Sequence, residues 1–219
     1  MLNTNKSRSQ TSNGLFIVFD GPADSGKTCI LRAISTWLES QQILTHTVVE
    51  PAPGAIGTIC REYANKPEHP YTLACLIAAG RYRNLVDEVI PYQSRGYVVL
   101  GHRYLASNYV YQILHGVEKE FIDSINAHII IPDMTFIVTS TPDKIKQRRW
   151  LHKPPDLFQA NEYIEREIHL FEEAANILHA KGHPLGIINN NSELAIAIKE
   201  VQQNLSSLLN QKLGLVVEI

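Results

Sequence analysis

The stretch Phe16-Ile17-Val18-Phe19-Asp20-Gly21-Pro22-Ala23-Asp24-Ser25-Gly26-Lys27-Thr28 decides the fold. An apolar run ends in a carboxylate, a Gly-x-x-x-x-Gly-Lys-Thr signature follows, and a helical pattern begins at Lys27. Strand, glycine turn and helix, in that order, form the context a phosphate-binding loop requires. Gly21 and Gly26 admit backbone angles and close approaches that a Cβ would obstruct. Successive N–H groups then point inward at a phosphate, and the helix start adds the positive end of its dipole. Lys27 would reach the β- and γ-phosphates, and the Thr28 hydroxyl would hold Mg²⁺. Gly21, Asp24, Ser25, Gly26, Lys27, Thr28 and Cys29 are therefore the candidate nucleotide ligands.

Outward from this loop, apolar strands alternate with helical patterns. The first strand is read at Gly14–Asp20 and the first helix from about Lys27 to Ser40, on the spacing of Ile30, Leu31, Ile34, Trp37 and Leu38. Thr45–Glu50 is β-branched and ends in a carboxylate at a strand tip, and Pro51, Pro53 and Gly54 then force a loop. Ile56–Ala64 fits a short helix and Tyr71–Gln93 a long one. Tyr97–Gly101 is the next strand, with His102, Arg103 and Tyr104 at its C-terminal end. Helices follow at Leu105–His115 and Glu118–His128, a strand at Met134–Thr139, and a short basic helix at Pro142–Arg149. A loop at Trp150–Phe158, a helix at Glu162–Ala180, a strand at Pro184–Ile188 and a final helix capped by Asn191 or Ser192 complete the chain. The apolar tail Leu213–Ile219 fits an edge strand or a subunit contact.

Five alternations of strand and helix predict an α/β fold, a five-stranded parallel sheet covered by helices on both faces. Ligands of such sheets lie beyond the C-terminal strand ends, which is where Asp20, Glu50, His102, Arg103 and Thr139 fall. The 219 residues suit a single domain over 14–219, after a disordered extension at 1–13. A formal net charge of −2 argues against a nucleic-acid partner, and the apolar runs are too short to span a membrane. Cys29, Cys60 and Cys75 have no C-x-x-C spacing and read as buried apolar residues of a cytoplasmic, reducing compartment. Nine histidines are scattered without a metal-binding spacing.

With these residues in place, the chain resembles the thymidylate kinase family over most of its length. The specific signature is His102-Arg103-Tyr104-x-x-Ser107-Asn108-x-Val110-Tyr111-Gln112, where the family reads Asp-Arg-Tyr-x-x-Ser-x-x-Ala-Tyr-Gln. Glu50-Pro51 with Ile56-Gly57 and Arg61, Ala78-Ala79-Gly80-Arg81, Pro132-Asp133-Met134-Thr135-Phe136, and Tyr163-x-Glu165-Arg166 with Phe171 and Ala175 also resemble family segments. The resemblance implies a three-layer P-loop kinase fold that transfers the ATP γ-phosphate to a nucleoside monophosphate, dTMP or a related pyrimidine, with ATP and Mg²⁺ over the loop. It implies Lys27, Arg103, Arg148 and Arg149 as the catalytic cations, the last two beside a lid at about 149–158 that includes Lys153. It implies Glu50, Arg81, His102, Arg103, Tyr104, Ser107, Asn108 and Tyr111 as the acceptor site, and a homodimer as the assembly. Phosphoryl transfer needs positioning and positive charge more than covalent chemistry, and arginines supply both.

The departures fall mainly on the acceptor side. His102 replaces the aspartate of the signature, Val49 an arginine before Glu-Pro, Ile77 an aromatic residue, Gly80 an Asp or Asn, and Thr139 a strand-tip aspartate. The acidic residue of the loop is displaced from position 23, now Ala23, to Asp24. Two other readings stay open on these residues: a kinase of another phosphorylated acceptor, and a nucleotide-binding regulatory protein without transfer.

Overall fold

The computed structural model describes residues 14–219 apart from 65, 67 and 152–158. The extension expected at 1–13, Lys153 and most of the expected lid lie outside the described residues. The strands are β1 (Leu15–Asp20), β2 (Thr45–Val49), β3 (Val98–His102), β4 (Met134–Thr139) and β5 (Leu185–Asn189). They form one sheet in the order β2-β3-β1-β4-β5, with every pair parallel.

β1 is central because it is apolar on both faces. Leu15, Ile17 and Phe19 join one core cluster, and Phe16 and Val18 the other. Successive side chains of a strand point to opposite faces, so a strand covered on both sides reads as a continuous apolar run. The first cluster packs under α1 (Lys27–Ser40) and α9 (Leu194–Leu213). The second packs under α5 (Leu105–Leu114) and α8 (Gln159–Ala180). Each fully buried side chain of this kind contributes about 1.5–3 kcal/mol. α2 (Ala55–Tyr63), α3 (Pro70–Asn84), α4 (Ile90–Ser94), α6 (Lys119–Ile125) and α7 (Pro142–Trp150) complete the helices.

The helix expected over Tyr71–Gln93 runs as α3, a π turn at Leu85–Val89, and α4. Pro91 supplies the reason. It has no N–H for the carbonyl four residues back, and its ring would collide with that carbonyl. The turn before it widens so that the Ile90 N–H bonds to the Leu85 carbonyl, five residues back.

Three further expectations are corrected. The final helix starts after Glu193 without a side-chain cap, because Asn191 Oδ1 instead accepts the Thr141 N–H at 2.7 Å. Only Cys60 is buried; Cys29 sits in the first turn of α1 and Cys75 on the outer face of α3, both exposed. The tail forms no edge strand. Gly214 ends α9 in a left-handed conformation, and the tail folds back onto α1, where Trp37 Nε1 donates to the Glu218 carbonyl at 2.8 Å and the Glu218 N–H to Gln41 Oε1 at 3.1 Å.

Candidate active site

The tips of β1 and β3 lie side by side, with Phe19 in register with His102. Between them the chain order reverses, leaving a crevice at the carboxyl end of the sheet. The loop after β1 is built around its glycines. A Cβ on Gly21, at φ +138°, would lie 2.1 Å from the Val138 carbonyl oxygen, and one on Gly26, at φ +99°, would lie 2.2 Å from Asn190 Nδ2. Gly26 precedes α1, whose first turn has no side-chain cap, so its first N–H groups have no side-chain acceptor. Lys27 is buried, and its ammonium donates to the Pro22 carbonyl across the loop at 2.6 Å. Loss of hydration on burial, then the nearby Arg103 charge, pull its pKa down to about 7. The other walls of the loop are Arg148, which donates to the carbonyls of Ser25 and Asn190 at 3.0 and 2.8 Å, and Asn190, whose amide donates to Ser25 at 2.9 Å. A cavity of about 370 Å³ opens here, lined by Asp24, Lys27, Thr28 and Cys29.

Asp20 closes the floor. Its Oδ2 accepts the N–H groups of Tyr104 and Ser107, both at 2.9 Å, and its Oδ1 accepts the Gly21 N–H and the Ser107 hydroxyl. One buried carboxylate thus ties the loop to the start of α5. Arg103, between β3 and α5, is held at φ 70° with its N–H on the Phe19 carbonyl. A left-handed conformation costs a non-glycine residue about 1–3 kcal/mol and persists where surrounding bonds fix it. Among the described residues the hydrogen bonds of its guanidinium all fall on Nη1, to Ser107 Oγ at 2.8 Å, Tyr111 Oη at 3.1 Å and the Gly21 carbonyl at 3.4 Å. Nε and Nη2 make no hydrogen bond among the described residues.

His102 Nε2 lies 3.0 Å from the Thr28 hydroxyl. Burial, followed by the charges of Lys27 and Arg103, lowers its pKa to about 4, so it is neutral at pH 7. It therefore places no positive charge against a cation at Thr28. Mg²⁺ takes oxygen ligands, so the Thr28 hydroxyl fits it and the imidazole nitrogen does not; neutral His102 is instead the hydrogen-bond partner that orients the Thr28 hydroxyl.

A second cavity, of about 430 Å³, lies beyond Arg103 and is lined by Glu50, Arg81, Tyr104, Ser107, Asn108 and Tyr111, with Ile77 also on its wall. The structure thus brings together every acceptor-side residue expected from the sequence except His102, which faces Thr28. It also fixes what Arg81 touches. That guanidinium is fully buried, forks onto Glu50 at 2.6–3.2 Å, and donates Nη1 to Asn108 Oδ1 at 2.9 Å and Asn126 Oδ1 at 2.5 Å. It also lies over the Tyr104 ring, 4.8 Å from its centroid. Burial raises the pKa of the Glu50 carboxyl against the opposing pull of Arg81. Asp87 and Glu88 pair instead with Arg83.

Sequence reasoning left Glu167, Asn126 and Asn190 unassigned. Glu167 had a visible signal. It sits between Ile164, Ile168 and Phe171 on the apolar face of α8, where a charge is out of place. Its side chain is 1% exposed. Asn126 and Asn190 follow an α6 helix and a β5 strand that could end in any polar residue, and nothing local marks them.

A phosphate loop after β1, a strained arginine at the neighbouring strand tip and basic residues on α7 define the protein as a P-loop phosphotransferase with two adjoining ligand cavities. The family model described as Thymidylate kinase matches residues 19–204. The chain is 30% identical over 193 residues to a protein named "Probable thymidylate kinase" from Pyrobaculum aerophilum, covering 82% of this chain and 95% of that one. It is 34% identical over 163 residues to a "Probable thymidylate kinase" from Methanococcus vannielii, covering 72% and 78%. It is 34% identical over 140 residues to a "Thymidylate kinase" from Bacillus licheniformis, covering 60% and 66%. The chain belongs to the thymidylate kinase family, and it is an ATP-dependent nucleoside monophosphate kinase.

Proposed function

We propose that this kinase phosphorylates dTMP, with Mg²⁺ as the metal, acting as a cytoplasmic homodimer. The observation that carries the reading is the placement of Lys27, at the end of the loop after β1, and Arg103, just past the neighbouring strand β3, each on the wall of its own cavity. ATP phosphates lie over residues 25–29, where Lys27 exchanges the Pro22 carbonyl for phosphate oxygens. The Thr28 hydroxyl, oriented by its hydrogen bond with neutral His102, would hold Mg²⁺, and the metal would neutralise charge on the β- and γ-phosphates. The free edge of Arg103 binds the acceptor phosphate and directs it in line. The pocket volume of about 430 Å³ falls within the range of small-molecule sites. Arg148 and Arg149, which bond the loop at the Ser25 carbonyl and the Asp24 carboxylate, supply further positive charge to the transferring group. The acceptor is already an anion, so the chemistry needs no strong general base.

A homodimer is supported by the outer face of α3, the π turn and the start of α4, where Tyr71, Val86 and Ile90 are 41, 65 and 46% exposed. Three free cysteines fit a reducing compartment. The testing experiment is ADP release across a panel of nucleoside monophosphates, with and without Mg²⁺. Metal-dependent release with dTMP as the best acceptor is expected. A better substrate that is not a pyrimidine monophosphate would overturn the assignment of the acceptor.

A further inference from the structure

Glu167 gathers groups from both halves of the site. Its Oε1 accepts the Ala23 N–H of the phosphate loop at 2.9 Å and the Tyr111 hydroxyl of α5 at 2.6 Å. Its Oε2 faces Arg149 Nη2 of α7 at 3.4 Å. The Tyr111 hydroxyl, which donates its hydrogen bond to Glu167, accepts one from Arg103 Nη1 at 3.1 Å. Tyr111 also packs against the arginine, whose guanidinium carbon lies 5.2 Å from the ring centroid.

A carboxylate this deeply buried is retained only where its charge is compensated. Here the compensation comes from Arg149, Arg103 and Lys27, the cations assigned to the phosphates. One oxygen shared between a loop N–H and a tyrosine hydroxyl makes the two bonds dependent on each other. A phosphate entering the loop competes for Ala23 N–H and for Arg149, and any shift of Oε1 is passed to Tyr111 and so to the guanidinium edge that Arg103 presents.

We propose that Glu167 is a positioning residue that couples the donor loop to the acceptor arginine, through the Ala23–Glu167–Tyr111–Arg103 chain of hydrogen bonds. The inference rests on the reading of Arg103 as the acceptor-phosphate ligand. It requires that donor and acceptor affinities be linked, equally in both directions.

The test is calorimetric binding of dTMP to the full chain, alone and with saturating β,γ-imido analogue of ATP and Mg²⁺. The acceptor that the substrate panel selects replaces dTMP should they differ. In the wild type the analogue changes acceptor affinity by about five- to tenfold. Glu167→Ala brings that factor to about one. Glu167→Gln, which keeps an oxygen for Ala23 and Tyr111, retains about half of it on a logarithmic scale. Tyr111→Phe raises the acceptor KM by about tenfold in the wild type and by less than twofold in the Glu167→Ala background. A purely structural glutamate would lower Tm and leave the coupling factor and the additivity of the two substitutions unchanged. An unaltered factor in Glu167→Ala, or fully additive losses, overturns the proposal. Wild-type turnover is the separate arm: failure to phosphorylate any monophosphate breaks the reading of Arg103, whereas normal turnover with additive losses breaks the role of Glu167 alone.

Discussion

The donor loop and the acceptor pocket sit on neighbouring strand tips, yet they are built in opposite ways. The loop is contiguous in sequence, and its key cation, Lys27, is parked on a carbonyl five residues away. The acceptor wall is held by partners 27 to 45 residues apart, with Arg81 forked between Glu50, Asn108 and Asn126. The difference teaches where charge serves the ligand and where it serves the scaffold. Lys27 is held by one bond, which a phosphate can replace. Arg81 is held by a network whose removal would leave a buried ion without partners.

This contrast can be broken by exchanging the two outcomes. Glu50→Ala strands the Arg81 charge and is expected to destabilise the chain by about 3–5 kcal/mol, read by denaturant unfolding. A loss below 1 kcal/mol would mean that the acceptor wall is not a scaffold. Lys27→Ala is expected to cost about 10²–10³-fold in kcat and to weaken ATP binding, while leaving stability unchanged or raised. The sign follows from linkage. The folded pKa of Lys27 lies below its unfolded value, so its ammonium disfavours folding below about pH 7, and that penalty is relieved as pH rises from about 7 toward 10.5. Unchanged ATP affinity in this variant would sink the assignment of the loop.

Smaller effects sharpen the comparison. Arg103→Lys keeps the charge but loses the fork, and should raise the acceptor KM about tenfold with the ATP KM nearly constant. A change confined to the ATP KM would move Arg103 to the donor side. Because bound phosphates restore the Lys27 proton, MgATP binding should take up close to one proton at pH 8 and be about tenfold weaker there than at pH 6. Calorimetry in buffers of different ionisation enthalpy checks this, and zero uptake at pH 8 refutes it. Finally, His102→Asp replaces a neutral nitrogen with an anionic oxygen beside Thr28, and should tighten Mg²⁺ in the ternary complex by a few-fold relative to Mn²⁺. An unchanged ratio of the two metals would place His102 away from the metal.

How much was legible follows the same division. The apolar run of β1, the Gly-Lys-Thr loop and α1 could be read residue by residue, because a strand, a turn and a helix are set by neighbours in the chain. The signature from His102 to Gln112 identified the acceptor side by resemblance, and the pocket does gather Arg103, Tyr104, Ser107, Asn108, Tyr111 and Gln112, though not His102. It did not reveal that Arg81 spends its donors on Glu50 and two asparagines, or that Asn191 serves Thr141 rather than its own helix. Those choices depend on which partners arrive from distant segments. Position 23 makes the point most directly. The family pattern has an acidic residue there and this chain has Ala23, but a carboxylate reaches its N–H all the same, from Glu167 on α8.

Periodicity, glycine placement and helix-start chemistry act over a few residues, so the alternation of elements, the parallel sheet and the phosphate loop are written in the chain order alone. Which charges stay open on the cavities and which pair with each other depends on packing between distant segments. That choice is made by burial: a charge removed from water must find a partner within hydrogen-bond reach, and the partners of Arg81, Arg103 and Glu167 come from across the chain.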